Sequence, residues 1–231
     1  MKAVILAAGR GKRMRHLTET KPKPLLRVGG KTFLDHIFDA LPKEVDEVIV
    51  VVGYKANLIR SYLGKRYKGK RVVYVKQKSL SGTGHAVLLT KQYFQDPTER
   101  FFIIYGDELP TKQEIKKCLA RGYGWLCHPI THSIATAVLK TTRTGRIIEM
   151  VERRDGSRPP FISAGGVMLV NAKIFAYKPQ QHKNGEYYLT SMLDQFLKYH
   201  KVYMILGRRD LYFINGEDIR RFNKKASFRL R

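Results

Sequence analysis

Apolar residues along this chain fall into two rhythms. Short unbroken runs stand at Ala3–Leu6, Val48–Val52, Val72–Val75 and Phe101–Tyr105. The second is wholly β-branched, the mark of a strand buried on both faces. Between these runs the apolar positions take helical spacing. Phe33, Ile37 and Leu41 share one face of Phe33–Leu41, and Leu58–Leu63 and His85–Phe94 read as further helices. Thr111-Lys-Gln-Glu114 is a capping box that opens the next one. Strand–helix alternation of this kind predicts an α/β fold, a doubly wound, mainly parallel, Rossmann-like sheet with ligands at the carboxyl ends of its strands.

The rhythm changes after about residue 130. Ile134–Lys140, Arg146–Glu152 and Phe161–Val170 read as strands with few helices between them, a small antiparallel β subregion in the C-terminal half. Leu189–Tyr199 is an amphipathic helix, Val202–Leu206 and Leu211–Ile214 read as late strands, and Gly216–Lys225 closes as a helix ahead of a loose basic tail. With no repeat or linker, 231 residues suit a single domain.

Composition narrows the class. Hydrophobic residues make up 43%, which marks a globular chain, and no run approaches the ~20 apolar residues that span a membrane. Met1–Leu6 is too short for a signal-peptide core. Cys118 and Cys127 lack metal-ligand spacing and read as reduced core residues, so the cytoplasm is the default location. The net charge of +25 predicts attraction to polyanions. Its cations are scattered along the chain, however, with one dense tail at Arg220–Arg231, which speaks against nucleic acid as the partner.

The chemistry gathers near the N-terminus. The first strand runs into Ala7, Ala8, Gly9 and Gly11, small residues that let main-chain N–H groups approach an anion. Residues 10 to 31 hold Arg10, Lys12, Arg13, Arg15, Lys21, Lys23, Arg27 and Lys31 against one acid, Glu19. Such a set suits a polyphosphate. The dinucleotide fingerprint needs a third glycine where Met14 stands, and the P-loop's Gly-Lys-Ser/Thr is absent. Leu6-Ala-Ala-Gly-x-Gly-x-Arg-Met14, followed by Pro22-Lys-Pro-Leu-Leu26, resembles the signature of the nucleoside-diphosphate-sugar pyrophosphorylases, the sugar-1-phosphate nucleotidyltransferases.

Further segments carry the same resemblance. Gln77-x4-Gly82-Thr83 matches the family element that reads the nucleobase; on its own it is a turn before a helix, with Thr83 able to cap a helix starting at His85. Tyr105-Gly106-Asp107 follows a buried strand, where the family's aspartate binds Mg²⁺, a hard ion that requires oxygen ligands; Glu108 beside it reads as solvent-exposed. Glu149-Met-Val-Glu152 resembles the segment whose glutamate grips sugar hydroxyls, and the arginines after it resemble the acetylglucosamine-1-phosphate uridylyltransferases. Ile162-Ser-Ala-Gly-Gly166 falls where relatives carry Asn-x-Gly, so Ser163 replaces a sugar-contacting asparagine, which weakens the case for an acetamido sugar. Asn184-Gly-Glu186-Tyr-Tyr-Leu-Thr190 again resembles the acetylglucosamine enzymes, whose glutamate lies near the sugar. Asn215 aligns with the asparagine those enzymes use as second metal ligand, and equally suits the N-cap of the following helix; Asp210 is the fallback ligand.

The resemblance implies a Mg²⁺-dependent enzyme joining a nucleoside triphosphate (UTP first, dTTP next) to a sugar 1-phosphate. It implies Arg13, Lys23 and Asp107 as catalytic residues, and Leu6, Ala7, Ala8, Gly9, Gly11, Gln77, Gly82 and Thr83 as the nucleotide site. Glu152, Ser163, Gly165 and Glu186 would hold the sugar phosphate, and Asp107 and Asn215 the metal. Residues 1–130 then form the nucleotide-binding part of a single domain spanning 1–231, residues 131–225 the sugar-phosphate part, and 226–231 the basic tail. A homo-oligomer stays open. Two other classes stand beside this one: a non-catalytic nucleotide-binding regulatory subunit of the same fold, and, further off, a nucleic-acid-binding module.

Overall fold

The computed structural model describes residues 1–131, 136–153, 160–209 and 211–228, without the side chains of 136, 151–153 and 226–228. In chain order its first elements are β1 (Lys2–Ala7), α1 (Leu17–Thr20), β2 (Arg27–Val28), β3 (Lys31–Thr32), α2 (Phe33–Ala40), β4 (Glu47–Val52) and α3 (Ala56–Leu63). Next come β5 (Arg66–Tyr67), β6 (Lys70–Lys76), α4 (Thr83–Leu88), β7 (Arg100–Tyr105), α5 (Lys112–Ala120) and β8 (Tyr123–Ile130). The chain ends with β9 (Thr136–Thr141), β10 (Ile147–Arg153), β11 (Phe161–Asn171), α6 (Leu189–Tyr199), β12 (Val202–Leu206) and α7 (Gly216–Phe228).

All strands but β2 and β3 form one mixed sheet, in the order β10-β9-β11-β7-β1-β4-β6-β5, with β8 on β11 and β12 on β8. β1 lies at its centre, parallel to β4 on one side and to β7 on the other. The chain winds outward through β4 and β6, then returns to place β7 on the far side of β1. The topological switch point therefore falls between β1 and β7, where open α/β sheets leave a crevice at their carboxyl edge. β11 runs antiparallel to β7, pairing Val167 with Ile104, so its first half, Phe161–Gly166, extends beyond that edge. β8 and β12 point the same way as β7, and the segment after Leu206 leaves from the edge where the crevice opens.

Side chains of the central strands alternate between two cores. Val4, Ile49, Phe101, Ile103 and Met168 pack with Ala86 and Val87 of α4 and with Leu189, Met192 and Phe196 of α6. Ala3, Ile5, Val48, Val50, Phe102 and Ile104 pack with Leu34 and Ile37 of α2, Ile59 of α3 and Ile115 of α5. A third, smaller core (Met14, Leu26, Val28, Phe33, Leu109, Phe213 and Ile219) lies at the crevice itself.

The predicted α/β class, the parallel centre and the antiparallel C-terminal strands are all present. Several local readings need correction. Leu211–Ile214 is not a strand: Phe213 turns into the third core. The helix expected over His85–Phe94 begins at Thr83 and stops at Leu88, and Lys91–Tyr93 is a separate 3-10 turn. α7 runs to Phe228, past the Lys225 expected from sequence. β8 has no counterpart in the sequence reading, because Gly124, Cys127, His128 and Pro129 break its β-branched pattern. The β2–β3 hairpin turns at Gly29 and Gly30, both at positive φ, as a two-residue hairpin requires.

Candidate active site

The loop after β1 is shaped by its neighbours. The Ala8 carbonyl accepts the Tyr54 N–H (2.9 Å), and a Cβ on Gly53 would lie 2.8 Å from that carbonyl, so glycine lets the β1 and β4 loops touch. Gly11 sits at φ +61, its carbonyl accepting from Met14 N (2.9 Å) and Thr18 Oγ1 (3.1 Å). Nothing lies within 4 Å of where a Gly9 Cβ would be, which leaves its main chain open to a ligand. Leu6 is partly buried in β1, Ala7 and Ala8 are buried, and Arg13 is exposed. Met14, next in the signature, is 2% exposed and anchors the loop in the third core.

Asp107 follows β7 across the switch point. The Gly106 N–H donates to the Leu6 carbonyl at 3.0 Å, and a Cβ on Gly106 would meet that oxygen at 2.9 Å and Pro24 at 3.0 Å. Glycine here lets the Asp107 turn lie against both β1 and the Pro22-Lys23-Pro24 turn. The Lys23 ammonium then reaches two acceptors, the Asp107 carboxylate and, at 2.5 Å, the Phe213 carbonyl.

Asn215 is an N-cap. Its Oδ1 accepts from Glu217 N (2.8 Å) and Asp218 N (3.3 Å), while Asp218 Oδ2 accepts from Ile214 N (2.7 Å) and Asn215 N (3.0 Å). Of the two roles open for this residue, capping is the one the geometry displays. Asp210 lies outside the described residues.

The Gln77–Thr83 element and the 184–190 segment form one unit. Gln77, 4% exposed, donates from Nε2 to the Gly82 carbonyl (3.1 Å). Gly82 is at φ +97, and a Cβ there would lie 2.5 Å from the Tyr187 carbonyl oxygen. Gly84 N donates to that oxygen and Tyr187 N donates to the Ser81 carbonyl, each at 2.8 Å. The Thr83 hydroxyl does not cap a helix beginning at His85. It accepts the Leu189 N–H at 3.0 Å, the first amide of α6, and bonds Tyr105. Glu186 is half-buried in a tight hairpin, its N–H donating to Asn184 Oδ1 at 3.0 Å.

On the opposite wall, β11 bulges between Ala164 and Val167. Ser163 is buried and pairs with His128 of β8 and with Val138 of β9. Glu152 pairs with Ala137, one position along β9, and its side chain lies outside the described atoms. A Cβ on Gly165 would come within 2.5 Å of the Leu126 carbonyl.

Beneath the bulge is a buried polar group that sequence reading missed. Glu108 is mostly covered, with its side chain 17% exposed, in contrast to the exposed loop residue expected. Its Oε1 accepts the Gly166 N–H at 2.6 Å, and Oε2 lies 3.9 Å from His128 Nε2. Burial, aided by the neighbouring Asp107 charge, pushes the Glu108 carboxyl up to about 7, against the pull of the Gly166 N–H. Burial also lowers the His128 pKa, and its Nδ1 bonds the Arg208 carbonyl at 2.9 Å. The adjacency of Glu108 to Asp107 was visible in the sequence; its burial depends on β8, which was not.

The nucleotidyl transferase family model matches residues 2–211. The chain belongs to that family. Over 204 residues it is 31% identical to the bifunctional protein GlmU of Methanocaldococcus jannaschii, covering 87% of this chain and 48% of the relative, so it spans about half that protein's length. It is 30% identical over 210 residues to the UTP–glucose-1-phosphate uridylyltransferase AglF of Haloferax volcanii, covering 86% and 84%. A UDP-glucose pyrophosphorylase solved with UDP-glucose superimposes with a TM-score of 0.80 at 21% identity, covering 100% and 99%, a likeness of fold. Family membership bears out the resemblance read from the glycine-rich and Pro-Lys-Pro signatures. No helix among the described residues is long and apolar enough to cross a membrane.

Proposed function

We propose that this protein transfers a nucleotidyl group from a nucleoside triphosphate, UTP first and dTTP next, to a sugar 1-phosphate, releasing pyrophosphate. The observation that carries the reading is the meeting of the Gly9–Gly11 loop, Lys23 and Asp107 at the switch point of the sheet. The 30% identity to AglF, a protein named for uridylyl transfer to glucose 1-phosphate, supports UTP as the first choice.

A sugar phosphate with a second pKa near ~6 is a dianion at neutral pH, so its oxygen can attack the α-phosphorus without a general base. The bond to the bridging oxygen breaks, and pyrophosphate leaves carrying the electron pair. Two anions must meet in line, so positioning and charge neutralisation carry the catalysis. Arg13 and the N–H groups of Gly9–Gly11 hold the β- and γ-phosphates, and Lys23 serves the α-phosphate. Gln77, Gly82 and Thr83 hold the base; Glu152, Ser163, Gly165 and Glu186 line the sugar side. Asp107 would hold Mg²⁺, a hard ion suited by carboxylate oxygen. When bound, Mg²⁺ would supply charge neutralisation for the phosphates. Among the described residues no three acidic, histidine or cysteine side chains form a metal cluster, so substrate phosphates and water would complete the coordination.

Asp107→Asn is expected to abolish turnover, by at least ~10²–10³-fold, while leaving the fold intact. Pyrophosphate release with Mg²⁺, crossing UTP, dTTP, CTP, GTP and ATP with several sugar 1-phosphates, checks this; an undiminished variant sinks the assignment. A second reading, a binding subunit without turnover, is favoured by one observation, the commitment of Asn215 to its cap. Silence across the whole panel from protein that still binds nucleotide would put that reading ahead.

A further inference from the structure

We infer that Glu108 and Trp125 clamp the peptide group between Gly165 and Gly166 from its two ends, and that Glu108 is thereby a positioning residue for the sugar-facing wall of the site. This rests on the nucleotidyl-transfer reading of the site. The Gly165 carbonyl accepts from Trp125 Nε1 at 2.6 Å, and the Gly166 N–H of the same peptide donates to Glu108 Oε1 at 2.6 Å. A peptide group is planar, so bonds at its opposite ends set its orientation.

This peptide takes side-chain partners where the ladders on either side of it stop. The β7–β11 ladder ends at Ile104 and Val167, and Gly106 of the next turn bonds the Leu6 carbonyl of β1 instead. The β8–β11 register skips from Ala164 to Val167. Gly165 and Gly166 fill that bulge, and a glycine pair is poorly able to hold one conformation by itself. Neither position has room for a stiffer residue. A Cβ on Gly165 would lie 2.5 Å from the Leu126 carbonyl, and one on Gly166 would lie 2.7 Å from both Glu108 Oε1 and the Tyr105 side chain. Gly166 is buried, so its N–H would be a costly orphan without the carboxylate. Glu108 follows Asp107 directly, so one turn carries both the proposed catalytic carboxylate and the carboxylate that holds the wall.

Amide exchange and kinetics on the full chain test this. With isotope-labelled glycine, the Gly166 amide is expected to exchange with deuterium at least about tenfold faster in Glu108→Ala than in the natural protein. Glu108→Gln, which keeps an acceptor oxygen, should stay within about threefold. A Gly166 amide that exchanges in the natural protein as fast as those of the exposed Gly9 and Gly30 overturns the clamp with no variant needed. With the substrate pair that turns over, Glu108→Ala should raise KM for the sugar 1-phosphate about tenfold and leave KM for the triphosphate within about twofold. Glu108→Gln should restore both. Trp125→Phe, which loses the indole donor and keeps a ring, should shift the sugar KM the same way by about threefold, and decides the matter if Glu108→Ala misfolds. Equal rises in both KM values, or a loss confined to kcat, overturn the positioning role while the function stands. If the natural protein turns over no pair, the function falls and calorimetry decides the inference. A tenfold weaker UDP-glucose affinity in Glu108→Ala, with UDP unchanged, supports it; parallel changes, or no binding, overturn it.

Discussion

Asp35 is charged and 9% exposed, a combination that stands only because donors surround it. Burial alone would raise its pKa. The Tyr67 hydroxyl, the Thr32 N–H (2.9 Å) and the Tyr62 hydroxyl (2.8 Å) reverse that and hold the carboxyl well below the usual range. A depressed folded-state pKa contributes stability that is complete above the unfolded value, near ~3.9, and is lost as pH falls through the folded one. Tyr67→Phe is therefore expected to lower unfolding free energy by about 1–2 kcal/mol at pH 7. The gap from the natural protein should narrow steadily below about pH 4. Urea denaturation across that range measures it, and a gap that stays constant in acid would assign the loss to packing. At this scale legibility depended on locality. Lys23 and Asp107, which the fold brings into contact, each sit inside a short motif whose neighbours announce it. His128 could not be read, because only the pairing of β8 with β11 brings it beneath Gly165 and beside Glu108.

Among the elements, α7 fixes the segment that the sequence predicts as a strand. Its capping box fixes the backbone from Ile214 to Asp218, and Gly29 N donates to Asn223 Oδ1 at 2.7 Å, docking the helix on the β2–β3 hairpin. Asp218→Ala removes an acceptor shared by two amides and breaks an ion pair with Arg221 (3.1 Å). It is expected to destabilise the chain by about 1–2 kcal/mol, a fall of roughly 2–8 °C in Tm for a chain of this size. Differential scanning calorimetry checks this, and an unchanged Tm would mean that the helix start does not depend on its box. The unbroken apolar run Leu211–Ile214 misled because such a run also arises where a loop feeds a small core, as Phe213 does here. Elements with long, pure patterns, such as β4, were legible almost to the residue.

For the molecule as a whole, the central fact is a doubly wound sheet whose switch point coincides with its richest run of cations. Eight lysines and arginines lie between residues 10 and 31 of a chain of net charge +25, and Lys23 among them stands at that crevice. Such a charge would attract the proposed nucleoside triphosphate over long range, and salt should screen it. Raising KCl from about 0.05 to 0.5 M is expected to lower kcat/KM for the triphosphate several-fold, with kcat within about twofold. A kcat/KM indifferent to salt would make the charge irrelevant to capture. The overall class was legible because alternation of strand and helix is a property of the whole chain. The placement of β11 against β7 was not, since a strand's direction leaves no trace in its own composition.

The two hydrogen bonds between the Ser81–Gly84 turn and Tyr187 have a consequence for how such an enzyme can change. Loops that read different parts of a substrate are often thought of as exchangeable cassettes, each tuned alone. Here the turn assigned to the base and the hairpin assigned to the sugar share a main-chain ladder, and Gly82 has no room for a side chain beside Tyr187. Any substitution that moves Tyr187 therefore moves the Ser81–Gly84 turn with it. On the proposed roles the two segments would have to change together, and a graft that carries one without the other would arrive without its hydrogen-bonding partner.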